Sequence, residues 1–396
     1  MCGSPFVKTG IWIEDRKMKK TGYWLFGILF HIFRLFPIKK KKVVLFMVHD
    51  CKFQGNIRYI YEEMKKRNLG CHFIKVSKKE LFQTDGNRYR KLLKLISGGL
   101  YFFLVLNYHL ATAEYILLND NFLPLAYMHP SKKAKIIQLW HGAGAFKRFG
   151  LSTEKDAIVR NCVEKGNRNI THLLVSSDNV IPYYKEALAV EEEKIYVTGV
   201  PMTDFYFDEQ KKKQALDEFY RKYPQLKEKK ILLYTPTFRK TPEENMQILK
   251  KFDVQKIIEA LGEEWTILIR LHPQIHSTMP ELPQNCYDVT EYPDIKELFL
   301  ASDVLVNDYS STVVEYVLLE KPIILFAYDL EQYDRGFYGS YKEEAPGIIV
   351  DTPEKLIEAV HMLPQQACVY EKFIRQQYGK MPDGKAAKRA VDLMLR

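Results

Sequence analysis

Short apolar runs that alternate with helical patterns constrain the fold of this chain more than any other feature. Runs such as VVLFMV at 43–48 and ILLYT at 231–235 have the length and aliphatic content of buried strands. Between the runs, apolar residues recur at helical spacing, as at Ile57, Ile60 and Met64. Strands separated by helices predict doubly wound parallel sheets, an α/β architecture. A chain of 396 residues is long enough for two such domains.

Shifts in composition predict the domain boundaries. A basic and aromatic segment covers residues 1–42, and a first α/β domain covers 43–208. A highly charged helix at 209–230 links it to a second α/β domain at 231–365. Helical patterns from Pro353 to Met362 and from Ala367 to Leu395 follow, and we expect the helices of 366–396 to cross back to the first domain.

The first 42 residues differ from the rest of the chain. Aromatic and aliphatic residues crowd positions 24–36, with lysines at 17, 19 and 20 before them and at 39–42 after them. His31 and Arg34 interrupt this run, which is shorter than the roughly 20 residues that cross a bilayer, and no signal-peptide cleavage site follows it. The pattern predicts a helix in the interface of an anionic cytosolic membrane surface. The alternative is a helix that packs on the protein's own surface.

Charge and cysteine content limit the possible partners. A formal net charge of +10 favours an anionic partner, which charge alone leaves open between nucleic acid, a membrane surface and a phosphate-rich substrate. The six cysteines lack the spacing of a zinc site or a disulfide framework, so we expect free thiols in a reducing compartment. Neither a carboxylate cluster that requires a metal nor a dinucleotide-binding glycine motif is found, and we expect no cofactor.

The stretch 134–150 carries the first candidate site. An apolar strand leads into Trp140 and His141, and a turn spaced by Gly142, Gly144 and Gly150 follows. Ligands of open α/β sheets bind beyond the carboxyl ends of the strands, and glycine lets the backbone approach a ligand closely. His141 is therefore a candidate base, and the alternative is an ordinary turn with a solvated or core histidine.

Three strands of the second half end in polar groups. Arg239 follows the first, Arg270 and His272 end the second, and Ser310 and Ser311 follow the third. We expect these ends to lie side by side, where arginines grip phosphate oxygens and a helix start offers N–H groups. Breaking a phosphoanhydride by alcohol attack needs positioning, positive charge and a base. His141 would serve as the base and His272 as a donor to the phosphate. Alternatively, each arginine is solvated or paired with a carboxylate, and the serines only cap a helix.

Five motifs resemble the CDP-glycerol glycerophosphotransferases of teichoic acid synthesis. The likeness covers residues 43–390 and is carried by WHGAGAFKRFG, TGVPMTDFYF, LLYTPTFR, IRLHP and the long block from DVTEYPDIKELFLASDVLVNDYSS to KEEAPG. The resemblance implies a GT-B fold, with two Rossmann-like domains and the active site in the cleft between them, on the cytoplasmic face of the membrane as a peripheral protein. It also implies transfer of glycerol phosphate from CDP-glycerol to a hydroxyl of an undecaprenyl-pyrophosphate-linked glycan acceptor, with release of CMP.

The same resemblance assigns roles to residues. It makes His141 and His272 the catalytic residues. It places the following residues at the CDP-glycerol donor: Gly142, Ala143, Gly144, Ala145, Pro236, Thr237, Arg239, Arg270, Ser310, Ser311 and Glu315.

Three positions depart from the pattern of the polymerising members. Ala143 and Gly144 stand where those members have Thr-Pro, which favours the priming branch, and Met202 stands where they have an arginine that contacts phosphate. A polymerase, a ribitol-phosphate transferase and a GT-B nucleotide-sugar glycosyltransferase are the alternatives. A nucleic-acid-binding protein is favoured by charge alone, and no binding motif accompanies it.

Overall fold

A computed structural model describes residues 6–48, 53–83, 87–272, 275, 279–333, 336–363 and 367–396, with the side chains of 6–19 and 367–369 left out. Of the six cysteines, Cys2 and Cys51 lie outside this range, as does the side chain of Cys368. Pro273 and His276, which follow His272, also lie outside it. The chain divides into two compact units. The first comprises residues 1–142, 149–202 and 385–396, and the second comprises 143–148 and 203–384.

Twelve strands are present in the described residues. They are β1 (Lys39–Met47), β2 (His72–Ser77), β3 (Ala113–Leu118), β4 (Lys135–Gln138), β5 (His172–Val175), β6 (Ile195–Val197), β7 (Lys230–Thr235), β8 (Trp265–Ile269), β9 (Cys286–Asp288), β10 (Val304–Asn307), β11 (Ile323–Phe326) and β12 (Ile348–Val350).

Sixteen α-helices are present in the same residues. They are α1 (Phe6–Phe33), α2 (Gly55–Lys66), α3 (Lys78–Phe82), α4 (Arg88–Leu100), α5 (Asn107–Ala111), α6 (Ala157–Asn167), α7 (Ile181–Leu188), α8 (Glu209–Lys222), α9 (Pro242–Phe252), α10 (Val254–Leu261), α11 (Ile295–Ala301), α12 (Thr312–Tyr316), α13 (Tyr341–Glu344), α14 (Pro353–His361), α15 (Ala367–Tyr378) and α16 (Ala386–Leu395).

Each unit contains one six-stranded parallel sheet, which confirms the predicted α/β class. The first sheet has the order β2-β1-β3-β4-β5-β6, and the second has the order β12-β11-β10-β7-β8-β9. The inner strands of both sheets are buried apolar runs, as is typical of parallel sheets whose two faces are covered by helices. In the second sheet, β10, β7 and β8 are neighbours. The prediction that the three polar strand ends lie side by side is therefore confirmed.

The last helix belongs to the first unit. Ala390, Val391 and Met394 of α16 lie in the same apolar core as Ile57 and Ile60 of α2. Two helices, α15 and α16, cover the range from Ala367 to Leu395 over which the helical pattern was predicted. Residues 379–385 separate them, and this connection contains a proline and two left-handed glycines, Gly379 (φ 59°) and Gly384 (φ 72°).

Other observed boundaries also differ from the predicted ones. The strand expected from residue 43 begins at Lys39, and its first three residues are exposed lysines, whereas Lys42 is buried. The linker helix expected at 209–230 ends at Lys222, before Pro224. The edge strand β9 was not predicted, since its three residues carry too short a pattern. The boundary between the two units falls at 202/203, not at 208/209, and residues 143–148 belong to the second unit.

Two long apolar helices pack against each other in the first unit. The Phe26 ring of α1 lies 4.9 Å from that of Phe102, and Asn107 Nδ2 donates to the Phe26 carbonyl. Phe102 lies in a π-helical turn (Tyr101–Leu106) that joins α4 to α5 in one helix from Arg88 to Ala111. By length and composition this helix could cross a membrane, and no other helix in the described part of the chain meets that test.

Candidate functional site

His141 lies directly beyond the carboxyl end of β4, as predicted. Its Nδ1 is 3.3 Å from the carbonyl oxygen of Asn119 and 3.8 Å from a carboxylate oxygen of Asp120. Asn119 and Asp120 follow β3, the neighbouring strand, so two adjacent strand ends meet at the imidazole. The side chain remains 34% exposed. A proton on Nδ1, donated to the Asn119 carbonyl, would leave Nε2 as the basic nitrogen.

Trp140 has a backbone conformation that is rare for a bulky residue. Its φ is +53°, in the left-handed region, which costs roughly 1–2 kcal/mol for a residue with a Cβ. The indole ring is buried and lies 4.4 Å from the His141 ring and 5.0 Å from that of Phe149. Strain of this kind persists only where surrounding contacts hold it, and such positions cluster at functional sites.

The predicted donor turn is divided between the two units. Gly142 belongs to the first unit, and Ala143 to Ala145 belong to the second. Gly144 is left-handed (φ +62°), and a Cβ there would lie 2.5 Å from Gln377 Oε1. That oxygen accepts the Ala145 N–H at 2.7 Å. Gln377 is buried on α15, and sequence reasoning missed it. No motif marks it, because its partner is 232 positions away.

Arg239 is enclosed by carboxylates. Its guanidinium contacts Asp329 through Nε (2.6 Å) and a terminal nitrogen (3.0 Å), and Asp308 through the other terminal nitrogen (3.0 Å). The arginine side chain is only 6% exposed. Burial alone lowers the pKa of Arg239, but Asp308 and Asp329 outweigh it and raise that pKa. Of the alternatives left open, pairing with carboxylates is therefore the observed one, and we call Arg239, Asp308, Asp329 and Tyr309 the Arg239 cluster.

Pro236 and Thr237 are buried next to this cluster. The Thr237 N–H donates to both carboxylate oxygens of Asp308, and Tyr309 donates its hydroxyl to Asp329 at 2.8 Å. The hydroxyl oxygen of Thr237 is buried without a hydrogen-bond partner in the described residues. Asp308 thus organises the loop that follows β7. Asp308 directly follows β10, two residues before Ser310.

Arg270 has a different environment. One terminal nitrogen donates to the carbonyl of Tyr292 at 2.7 Å and approaches that of Val289 at 3.5 Å. In the described part of the chain, no carboxylate lies within ion-pair distance of it. Burial lowers the pKa of Arg270, and the nearby Asp294 and Glu291 oppose that shift. Half-buried charge held only by carbonyls suits an incoming phosphate.

Glu315 of α12 lies in the same electrostatic environment. Tyr206 donates its hydroxyl to Glu315 at 3.2 Å. Burial raises the pKa of Glu315, Lys296 lowers it, and Asp294 raises it. Asp294 raises the pKa of both Arg270 and Glu315. We call Arg270, Asp294, Lys296, Glu315 and Tyr206 the Arg270 cluster.

The two serines behave differently from expectation. Ser310 Oγ accepts the Thr312 N–H at 3.3 Å, and the Ser310 N–H donates to Asn307. Ser311 occupies the cap position of α12, but its side chain makes no capping bond. Ser310 therefore accepts an N–H of the first turn of α12 from the position before the cap, whereas the hydroxyl of Ser311, at the cap itself, does not.

His272 follows β8, and its ring lies 4.7 Å from that of Phe238, in the loop that also carries Thr237 and Arg239. Thus His272 is near the Arg239 cluster within the second unit, whereas His141 belongs to the first unit. Within the described ranges, no group of three or more His, Cys, Asp or Glu side chains could hold a metal ion.

Residues 28–396 match the sequence model of the family described as CDP-Glycerol:Poly(glycerophosphate) glycerophosphotransferase. The chain belongs to this family. It is 34% identical over 385 residues to the teichoic acid poly(ribitol-phosphate) polymerase of Bacillus spizizenii, with 96% of this chain and 60% of that protein covered. It is 30% identical to the teichoic acid ribitol-phosphate primase of the same organism, with 91% and 92% covered.

A solved structure shows the same fold. The wall teichoic acid polymerase TagF matches with a TM-score of 0.75 and 24% identity, over 98% of this chain and 97% of that one. The likeness extends across both units. As a member of this transferase family, the chain carries the α/β fold with two parallel sheets that its own sequence predicts.

Proposed function

We propose that this chain transfers glycerol phosphate from CDP-glycerol to a hydroxyl of a polyprenyl-pyrophosphate-linked glycan in teichoic acid synthesis, releasing CMP, and that it acts as a primase. His141 carries the proposal. Its Nδ1 faces the Asn119 carbonyl and Asp120 while the ring stays accessible, which suits a base that removes the acceptor proton.

The donor phosphates would meet the Arg270 cluster. Arg270 offers a half-buried cation with no carboxylate within ion-pair distance in the described residues, and the Ala143 to Ala145 backbone forms a glycine turn fixed by Gln377. His272 would donate a proton to the phosphoryl oxygen as the phosphoanhydride bond breaks and CMP leaves. No cofactor takes part in this scheme. Arg239 would act on the donor only indirectly, through the loop that it anchors.

Ribitol phosphate is a second candidate for the transferred group. The two relatives named above, which align over more than nine-tenths of this chain, are a ribitol-phosphate polymerase and a ribitol-phosphate primase. Met202, where polymerising members carry arginine, is buried, and its N–H donates to Asn56. This position therefore supplies no cation to the donor, which fits a donor site that differs from that of the glycerol polymerases.

Transfer would be tested with the purified full-length chain, a short-chain disaccharide-pyrophosphate lipid and, separately, CDP-glycerol, CDP-ribitol and a UDP-sugar. Release of CMP and a product heavier by one glycerol phosphate supports the proposal, whereas a ladder of products indicates a polymerase. Release with CDP-ribitol alone changes the donor, and transfer from the UDP-sugar alone contradicts the proposal.

In His141→Ala we expect a loss of about 10²- to 10⁴-fold in rate. His361→Ala, at an exposed position on α14, is the matched control.

We further propose that the first unit attaches to an anionic cytosolic membrane surface. Helix α1 buries Phe26 and Phe30 against the protein, yet exposes Trp24 (55%) and Ile32 (51%) on its other side. One side of this helix therefore packs on the protein, and its exposed apolar side supports the proposed contact with the membrane. The helix from Arg88 exposes a second apolar stripe, formed by Tyr89, Leu92, Leu93, Ile96, Leu100 and Leu104. We call these two stripes the outer apolar face.

The outer apolar face is better suited to lying on a membrane than to crossing one. Phe102, Leu106 and Leu110 bury the opposite side of the same helix in the protein. The first turns of this helix carry the basic residues Arg88, Arg90, Lys91 and Lys94, which would contact anionic headgroups at about 1 kcal/mol per residue.

Ile96→Asp with Leu100→Asp should abolish sedimentation with vesicles that contain anionic lipid. Met246→Asp, at an exposed apolar residue of α9, should leave it unchanged. Retention by the double variant would contradict this surface.

A further inference from the structure

Trp140 needs external support for its left-handed backbone, and two buried amide side chains supply it. Gln138, the last residue of β4, is fully buried. Its Oε1 accepts the Trp140 N–H at 3.0 Å, and its Nε2 donates to the Asp120 carbonyl at 3.1 Å. One amide group therefore ties the strained residue to the loop that His141 contacts.

Asn56 supplies the second contact. It lies at the start of α2 and is 2% exposed. Its Nδ2 donates to the carbonyls of Leu139 (3.2 Å) and Trp140 (3.0 Å), while its Oδ1 accepts the Met202 N–H (3.0 Å). The nitrogen and the oxygen of this amide are therefore both hydrogen-bonded to backbone groups of the first unit. Since buried polar groups require partners, such a network specifies one backbone path.

We propose that Asn56 and Gln138 are positioning residues for His141. Together they bind the N–H and the C=O of Trp140, which leaves this peptide segment little freedom to relax to a conventional φ. His141 is attached directly to that segment, so the direction of its imidazole toward Asn119 and Asp120 follows from the two amides. The inference rests on the proposed function insofar as it assigns His141 as the base.

The test compares three variants of the full-length chain. Asn56→Asp keeps an acceptor for Met202 but presents oxygen to two carbonyls. Gln138→Met keeps the volume of the side chain and removes both of its hydrogen bonds. Asn169→Asp is the matched control, because Asn169 Nδ2 also donates to two carbonyls of the first unit, those of Leu125 and Met128, both at 3.0 Å.

A shift in the imidazole position should affect turnover more than donor binding. We expect kcat to fall by about 10- to 100-fold in Asn56→Asp and Gln138→Met, with the donor KM within about threefold of wild type. Asn169→Asp should retain the wild-type kcat even where its melting temperature falls as far as those of the two site variants. Wild-type kcat in both site variants would overturn the proposal, as would an equal loss in the control.

Nuclear magnetic resonance separates this inference from the proposed function. The imidazole signals of His141, assigned from their absence in His141→Ala, should shift in Asn56→Asp and Gln138→Met and stay in place in Asn169→Asp. This measurement needs no substrate, so a wild-type chain inactive with every donor would refute the proposed function while the signals still test the positioning. Unshifted signals in folded site variants would overturn the inference.

Discussion

Two arginines that the sequence presents as equivalent have opposite environments in the second unit. Arg239 and Arg270 each follow a strand of the same sheet, and β7 and β8 are neighbours. The Arg239 cluster neutralises its guanidinium with two carboxylates, whereas Arg270 contacts only backbone carbonyls in the described residues. The pKa of Arg239 is raised by Asp308 and Asp329 against the effect of burial, and burial lowers that of Arg270.

The difference separates a structural arginine from a ligand-binding one. A guanidinium whose donors are already used by carboxylates has little capacity left for phosphate, and removal of such a cation leaves buried negative charge. A guanidinium held only by carbonyls retains its charge for an incoming anion. We therefore expect substitutions of Arg239 to act on stability, and substitutions of Arg270 to act on donor binding.

The largest effect is expected from Arg239→Ala. The free energy of unfolding of the second unit should fall by about 3–5 kcal/mol, because Asp308 and Asp329 are left buried without their cation. Urea denaturation, followed by circular dichroism, measures this loss. A normal unfolding curve combined with a raised donor KM would assign Arg239 to the donor and abolish the contrast.

Arg270→Ala should leave a folded protein with weak donor binding. We expect the donor KM to rise by about 10- to 100-fold, since one charge-assisted contact to phosphate is lost. Steady-state CMP release measures it, and the urea midpoint serves as the control. An unchanged KM would place the phosphate contact elsewhere.

Lysine substitutions sharpen the comparison through geometry. Arg239→Lys keeps the charge but cannot reproduce the paired contacts of the fork to Asp329, so about 1–2 kcal/mol of stability should be lost. In Arg270→Lys, the donor KM should recover most of the way to wild type. Equal behaviour of the two lysine variants, in denaturation and in kinetics, would argue against distinct roles.

The smallest effect is expected from Glu315→Gln. Burial raises the pKa of Glu315 above its ordinary value of 4.5, so the folded chain holds this proton more tightly than the unfolded chain does. The contribution of Glu315 to the free energy of unfolding therefore falls as pH rises from its ordinary pKa of 4.5 through the raised pKa of the folded chain. The melting temperature of Glu315→Gln relative to wild type should increase between pH 4 and pH 8. Glu343→Gln, at an exposed residue of α13, should show no such trend, and a flat difference for Glu315→Gln would contradict the assignment.

Much of the fold could be predicted from local pattern. The strands at Val43, Ile231 and Val304 were recognised because their apolar runs are buried on both faces of a parallel sheet. The three-residue β9 was missed, because so short a strand carries too little of the alternating or apolar pattern. The helix from Arg88 to Ala111 contains a π-helical turn, which preserves the apolar content of the segment and changes only its period.

The candidate site was predicted in its members but not in their roles. His141 lies at a strand end as expected, whereas Asn56, Gln138 and Gln377 were not assigned to the site. Their side chains act on backbone groups of other segments, and an amide in a sequence carries no mark of such a partner. Ser311, by contrast, had the mark of a cap and makes no capping bond.

By itself, the sequence determined the α/β class, the order of the strands along the chain and the polar groups at their ends, because hydrophobic periodicity is a local property. Only the tertiary structure decided which of those groups is neutralised and which remains available. Arg239 meets Asp308 and Asp329 across 69 and 90 positions. Charge pairing depends on distance in space, and the packing of the strands into one sheet sets that distance.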